Sequence, residues 1–318
     1  MHCFTNSLKK RDGCDIMILE VFLMLWNDLR EEEFCSAIER SRGLCVIPMG
    51  CIEKHGQHLP VGTDYFEAIT VVKNAAKREE AVIFEPGAWL GEVSCFHAFD
   101  DPGKMGYRGC IGIKQETILT VLAELCDEIA RNGFRKILIV NGHGGNRDLL
   151  RHFLRTQSYT RKSYATLSTF AFPFNDIAPK RLYNTVTKRQ KDFSYLTEAD
   201  FETLRRFAES GTGGGHADIR ETSLIMDYDT SLVAEDRYDA ESGASNHRTD
   251  YLAECGVESV NSWLANYPAS YEALPPHGAS ATIGRAMNEI CSERMARIFS
   301  IIKNDEDCVR SAQMLPKM

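Results

Sequence analysis

Glu53 and His55 stand two residues apart, and Asp64 follows in the same run, Glu53-Lys54-His55-Gly56-Gln57-His58-Leu59-Pro60-Val61-Gly62-Thr63-Asp64. A second run, Asn141-Gly142-His143-Gly144-Gly145-Asn146, supplies another imidazole. Carboxylates and imidazoles in this mixture are borderline-hard ligands suited to zinc, manganese or iron(II). In an extended segment, residues i and i+2 point the same way, so Glu53 and His55 can meet one metal cluster. Asp64 opens the following helix, where a carboxylate can bridge two cations with its two oxygens. The glycines around His143 let its loop approach metal or substrate without side-chain obstruction. Taken alone, a histidine in a glycine-rich loop is more often a hydrogen-bonding residue than a ligand. The joint occurrence of two such runs after separate apolar stretches is what points to a metal-dependent hydrolase.

A third stretch, Gly213-Gly214-Gly215-His216-Ala217-Asp218-Ile219-Arg220-Glu221-Thr222-Ser223, places His216 and Glu221 five apart. Its plain structural reading is a helix start with Asp218 near the cap. Its functional reading makes His216 a catalytic proton shuttle, because imidazole changes charge near neutral pH. Glu221 is then a further metal ligand or an orienter of the attacking water.

Strands and helices must deliver these groups. Apolar runs at Leu44–Met49 and Lys136–Val140 precede the two motifs and read as buried strands, with further strands at Ala81–Phe84, Cys110–Ile113 and Tyr164–Phe170. Helical spacing covers Asn27–Arg40, Asp64–Lys77, Thr117–Arg131, Arg147–Gln157, Glu198–Glu209, Ile219–Met226 and a final helix at Ala279–Lys303. Such alternation predicts an α/β fold, a mainly parallel sheet covered by helices on both faces. In open sheets of this kind, sites lie at the carboxyl ends of strands. Residues 1–15 read as a loose extension, and Met17 is an alternative start. Residues 16–318 read as one domain with an insertion at about 173–212, either a lid or a subunit contact.

The net charge of −8 argues against general nucleic-acid affinity. Hydrophobic content of 43% and charged content of 26% are those of a soluble globular protein. The most membrane-like stretch, Ile16–Trp26, is too short to span a bilayer, and no clean signal peptide precedes it. The cytoplasm is therefore the expected location. The 11 cysteines include no C-x-x-C pair and read as reduced core thiols rather than a disulfide framework or thiolate metal site.

The three motifs, in this order, resemble the signature of the creatininase (creatinine amidohydrolase) family: a Glu-x-His-Gly-x-His-Leu-Pro-x-x-x-Asp run, an Asn-Gly-His-Gly-Gly-Asn loop, and a Gly-His-Ala segment followed by Glu-Thr-Ser. The resemblance spans roughly Leu44–Met226 plus the final helix. It implies a three-layer α/β/α sandwich, a small-molecule substrate, a homo-oligomer (commonly a hexamer) and two divalent metal ions. Glu53, Asp64 and His143 would hold one metal, and His55 with the bridging Asp64 the other. Two departures argue against creatinine as substrate. Creatininase has a glutamate two residues after the loop histidine, where this chain has Gly145, leaving Glu221 as the candidate replacement. Creatininase also closes tryptophans over its substrate near the Gly-His-Ala segment, and Trp26, Trp89 and Trp263 are all distant from it in sequence.

The expected chemistry is cleavage of an amide-type C–N bond, linear or cyclic, in a small polar molecule. The alternative is C–C hydrolysis opening an oxidised inositol or sugar-derived cyclic ketone, since family members include both kinds. A non-catalytic metal-binding scaffold is a third reading, against which the intact acidic cluster argues. The loop Cys95–Gly103 and the 173–212 insertion are expected to decide the substrate, with Lys104, Tyr107, Arg108, Asn175, Asp176 and Arg181 as polar groups for the pocket wall.

Overall fold

The computed structural model describes residues 23–85, 87–93, 107–172, 177–211, 215–259 and 262–313. The extension at 1–15, the Cys95–Gly103 loop, Lys104, Asn175, Asp176 and Gly213-Gly214 lie outside them. Among the described residues, five parallel strands form one sheet: β1 (Met24–Leu25), β2 (Leu44–Met49), β3 (Val82–Ile83), β4 (Lys136–Asn141) and β5 (Ala165–Phe170), in the order β1-β3-β2-β4-β5. The helices are α1 (Phe34–Arg40), α2 (Thr63–Ala76), α3 (Gln115–Arg131), α4 (Asn146–Thr156), α5 (Pro179–Lys188), α6 (Glu198–Glu209), α7 (Ile219–Asp229), α8 (Asp250–Glu254), α9 (Ser262–Asn266), α10 (Ala281–Asn304) and α11 (Asp307–Gln313).

Both faces of the sheet are apolar because successive side chains point to opposite sides and both sides are covered. On one face Leu44, Val46, Leu138 and Val140 join Val72 of α2, Leu224 of α7 and Met287 and Phe299 of α10. On the other, Cys45, Ile47, Ile137 and Ile139 join Ile118, Leu122 and Cys126 of α3 and Leu150 and Phe153 of α4. This is the expected α/β/α sandwich. Residues 177–211 pack α5 and α6 into the first of these cores through Leu182, Val186 and Leu204.

Two local expectations are corrected. Asn27–Arg40 is not one helix: short 3-10 turns at Trp26–Asp28 and Glu31–Glu33 precede α1. Trp26 packs edge-on against Phe34 and Phe84, holding the chain in an aromatic corner that a continuous helix would leave. Cys110–Ile113 is not a strand, and contributes only a single antiparallel bridge from Ile111 to Ile52. Among the described residues no helix is long and apolar enough to cross a membrane.

The helix carrying Glu221 is seated by a close approach. A Cβ at Gly284 of α10 would stand 1.8 Å from the Ser223 carbonyl oxygen of α7. Gly284→Ala should therefore force the two helices apart, and the overpacking should cost about 1–3 kcal/mol despite alanine's better helix propensity. A melting temperature equal to or above that of the parent would contradict this.

Candidate metal centre

Strands β2 and β4 are neighbours, with Met49 paired to Asn141, so both motifs leave the sheet side by side at its carboxyl edge. Beyond β2 the chain stays extended, and burial alternates: Cys51, Glu53 and His55 are buried while Ile52 and Lys54 are partly exposed. The two asparagines of the second motif shape its loop. Asn141 accepts from the His143 N–H and donates to its carbonyl, and Asn146 ties the loop to the Gly50 carbonyl and the Glu92 N–H. A side chain at Gly142 is excluded, since its Cβ would lie 2.1 Å from the Asp64 carbonyl oxygen. That contact brings the β4 loop against the start of α2.

The result is a buried cluster in which Glu53, His55, Asp64 and His143 are 5%, 0%, 2% and 6% exposed. Asp64 Oδ1 lies 3.2 Å from His55 Nε2, and its Oδ2 lies 3.1 Å from His143 Nδ1. Glu53 Oε1 is also 3.1 Å from His143 Nδ1. Each imidazole turns its other nitrogen to a backbone carbonyl: His55 Nδ1–H donates to Glu53 and His143 Nε2–H to Glu92. Those bonds orient each ring so that its second nitrogen faces the carboxylates, the placement in which ligating histidines are held.

The third motif closes the site. His58 of the first run bonds the Ala217 carbonyl and Thr222 Oγ1. Ala217 adopts a left-handed conformation, φ 60°, which turns His216 inward. His216 Nε2–H donates to the Lys54 carbonyl at 2.9 Å, and its Nδ1 faces Glu53 Oε1 at 3.8 Å. Asp218 caps α7 by accepting from the Arg220 and Glu221 N–H groups. Glu221 Oε2 accepts from the Ala217 N–H and lies 3.9 Å from His55 Nε2. All six expected site residues thus converge, in three sets of donor atoms compact enough for an ion: Cys51, Glu53, Asp64 and His143; Glu53, His55 and His216; His55, Asp64 and Glu221.

Electrostatics follow from burial. Burial opposes ionisation of Asp64, yet His55 and His143 beside it hold the carboxyl well below its usual range. Burial likewise disfavours charge on His55, but Asp64, Glu221 and Glu53 outweigh it and push the imidazole to about 10. Burial drives Glu221 up to about 8, against the pull of His55 and with help from Asp218 and Asp64. Burial and the neighbouring His55 hold His216 down at about 4, so its ring is neutral at pH 7 and does not change charge near neutrality as its residue type had suggested.

A cavity of about 490 Å³ opens onto the cluster, lined by Glu67, Glu92, Arg220, Glu221, Glu272, Phe170, Phe172, Leu224 and Trp263, among others. Tyr107, Arg108 and Arg181 do not line it; Tyr107 instead bonds the Pro268 carbonyl. Several contributors escaped the sequence reading. Cys51 sits one alternation step before Glu53, and Glu67 one helical turn after Asp64, so both were reachable by extending the spacing argument. Glu92 and Trp263 carry no local signal. Trp263 corrects the expectation that no tryptophan approaches the third motif: its ring lies 5.2 Å from that of His216 and its indole N–H donates to Glu272.

Fold and cluster together define a parallel α/β sandwich with a buried carboxylate–imidazole centre at the strand ends. The family model described as Creatininase: Creatinine amidohydrolase matches residues 27–299, and the chain belongs to that family. It is 30% identical over 101 residues to a 3-dehydro-scyllo-inosose hydrolase of Thermotoga maritima, covering 32% of this chain and 30% of that one. It is 25% identical over 119 residues to a creatinine amidohydrolase of Pseudomonas putida, covering 37% and 44%. The matches thus span less than half the length of these relatives. A solved creatininase superposes with TM-score 0.66 at 18% identity, over 89% of this chain and 99% of that one. Other solved creatininases of this fold are manganese and zinc–zinc forms.

The buried acids and bases make a prediction for the chelated protein. Glu221, Glu67, His55 and His143 all have folded-state values raised above those of the unfolded chain. Each holds a proton that the unfolded chain has released, so their stability contribution is lost as pH rises. Melting temperature without metal should fall between pH of about 7 and about 9, and Glu221→Gln should flatten the lower part of that slope. A rising slope, or one unchanged in the variant, would contradict the assignment.

Proposed function

We propose that this chain is a metal-dependent hydrolase in which two divalent cations share Asp64, acting on a carbonyl-centred C–N bond of the amide type in a small polar molecule. The observation that carries the reading is the division of Asp64, one oxygen toward His55 and the other toward His143. Glu53, Asp64 and His143 would hold one cation, and His55, Asp64 and Glu221 the other, Glu221 replacing the carboxylate that Gly145 lacks. The donor set fits: three carboxylates and two imidazoles bring oxygen and nitrogen atoms into two sets, each with its donors within 4.8 Å of one another. Zinc, manganese or iron(II) would suit it. Bound there, the cations would polarise the attacked carbonyl and acidify water.

The chain's own groups do the rest. His216, neutral and with Nδ1 turned to the cluster, takes the proton of the attacking water and returns it to the leaving nitrogen as the C–N bond breaks. Its Lys54 hydrogen bond holds the ring in that tautomer. Phe170, Phe172 and Trp263 give the cavity apolar walls, while Glu67, Glu92 and Glu272 offer carboxyl groups to a polar substrate.

That carboxyl-bearing wall also favours a second reading, C–C hydrolysis of a polyhydroxylated cyclic ketone, the substrate type named for the Thermotoga maritima relative. The proton from His216 would then go to the leaving carbon. Free thiols throughout the described residues fit a cytoplasmic protein, and the family resemblance leads us to expect a homo-oligomer, commonly a hexamer.

Asp64→Ala should lose both metal and turnover while the fold persists. His216→Ala should keep its metal and lose at least about a hundredfold in kcat. Elemental analysis and assays of the metal-replete protein on cyclic amides, formamides, short peptides and inositol-derived ketones test this. Less than one bound metal per chain, or parental turnover by either variant, would sink the proposal. Ketone opening without amide cleavage would select the second reading.

A further inference from the structure

We infer that Cys51 is a ligand of the inner cation position, completing a Cys51–Glu53–Asp64–His143 set that makes this position selective for thiophilic metals such as zinc. This rests on the two-cation reading above. The donor atoms of these four residues all lie within 4.8 Å of one another, and all four side chains are buried. Cys51 Sγ stands 2.9 Å from Asp64 Oδ2, which is itself 3.1 Å from His143 Nδ1. Adjacent donors around a tetrahedral zinc, at bond lengths near 2.0–2.3 Å, lie roughly 3.3–3.7 Å apart. The two shortest separations therefore need only small outward movements to surround an ion, and no pair in the set exceeds 4.8 Å.

Position in the chain supports the assignment. Cys51, Glu53 and His55 are successive inward residues of one extended segment, so the thiol points where the glutamate and imidazole point. Val93 and Leu264 share an apolar cluster with Cys51, which shields the sulfur from solvent. Cys45, Cys126 and Cys291, by contrast, sit in the large apolar cores on the two faces of the sheet. A hard manganese ion gains little from sulfur, whereas zinc and cobalt(II) accept thiolate, imidazole and carboxylate together. Coordination forms the metal–sulfur bond and releases the thiol proton to water, with no change of oxidation state.

The test uses the full chain, stripped of metal under anaerobic conditions and given two equivalents of cobalt(II). The native protein should show an intense near-ultraviolet thiolate-to-cobalt charge-transfer band, and Cys51→Ser and Cys51→Ala should bind cobalt without it. Zinc affinity should drop at least about tenfold in Cys51→Ser, the loss that follows removal of even an indirect ligand support, while manganese affinity changes little. Cobalt bound to the native protein without the band, or a band undiminished in both variants, overturns the role of Cys51 and leaves the two-cation reading standing. Failure of the native protein to bind cobalt overturns both.

Discussion

The sharing of one buried carboxylate between two imidazoles is the constraint that the rest of the molecule serves. Asp64 is 2% exposed, yet Glu53 and Glu221 also belong to the same knot of donor atoms. Isolated, each buried anion would cost several kcal/mol. The chain answers with His55 and His143, whose charge is stabilised by the acids they face. Opposite-charge pairing on that scale outweighs the burial penalty for Asp64, which remains ionised, but not for Glu221, which lies farther from His55.

Much of the architecture exists to hold that arrangement still. Asn141 and Asn146 clasp the His143 loop onto the end of β2, and the Glu53 and Glu92 carbonyls hold the rings of His55 and His143. The long α10 packs on α7 and α2, the two helices whose first turns carry Glu221 and Asp64. Ala217 adopts a backbone conformation unusual for a side-chain-bearing residue, of the kind found where function dictates geometry. Trp263, on a short helix far along the chain, reaches back over His216.

Periodicity revealed the core elements because they obey it. The run Leu44–Met49 is a strand over its whole predicted length, and Glu198–Glu209 is a helix within its predicted bounds, fixed by a Thr197–Asp200 capping box. Periodicity failed where tertiary contacts rule: the aromatic corner around Trp26 broke an expected helix, and Ile111 pairs through one bridge only. At the centre, the residues carried by compact motifs were legible because their spacing is local. Glu92 was not, because its hold on the His143 ring runs through a backbone carbonyl, which any residue type offers, and its side chain reaches the cavity only through the fold. Trp263 was not, because its proximity to His216 is created entirely by chain folding. Cys51 lay in plain view, but a thiol beside an apolar strand resembles core filling until its neighbours are known.

The pairing of Met49 with Asn141 has a consequence for how such a molecule can diverge. Neighbouring strands keep a separation of about 4.8 Å whatever their side chains, so the sheet acts as a ruler for the two loops that leave it. Glu272 and Trp263, by contrast, reach the pocket from segments that belong to no strand of the sheet. The walls of the chamber can therefore be exchanged without disturbing the spacing of its floor, which the sheet alone sets.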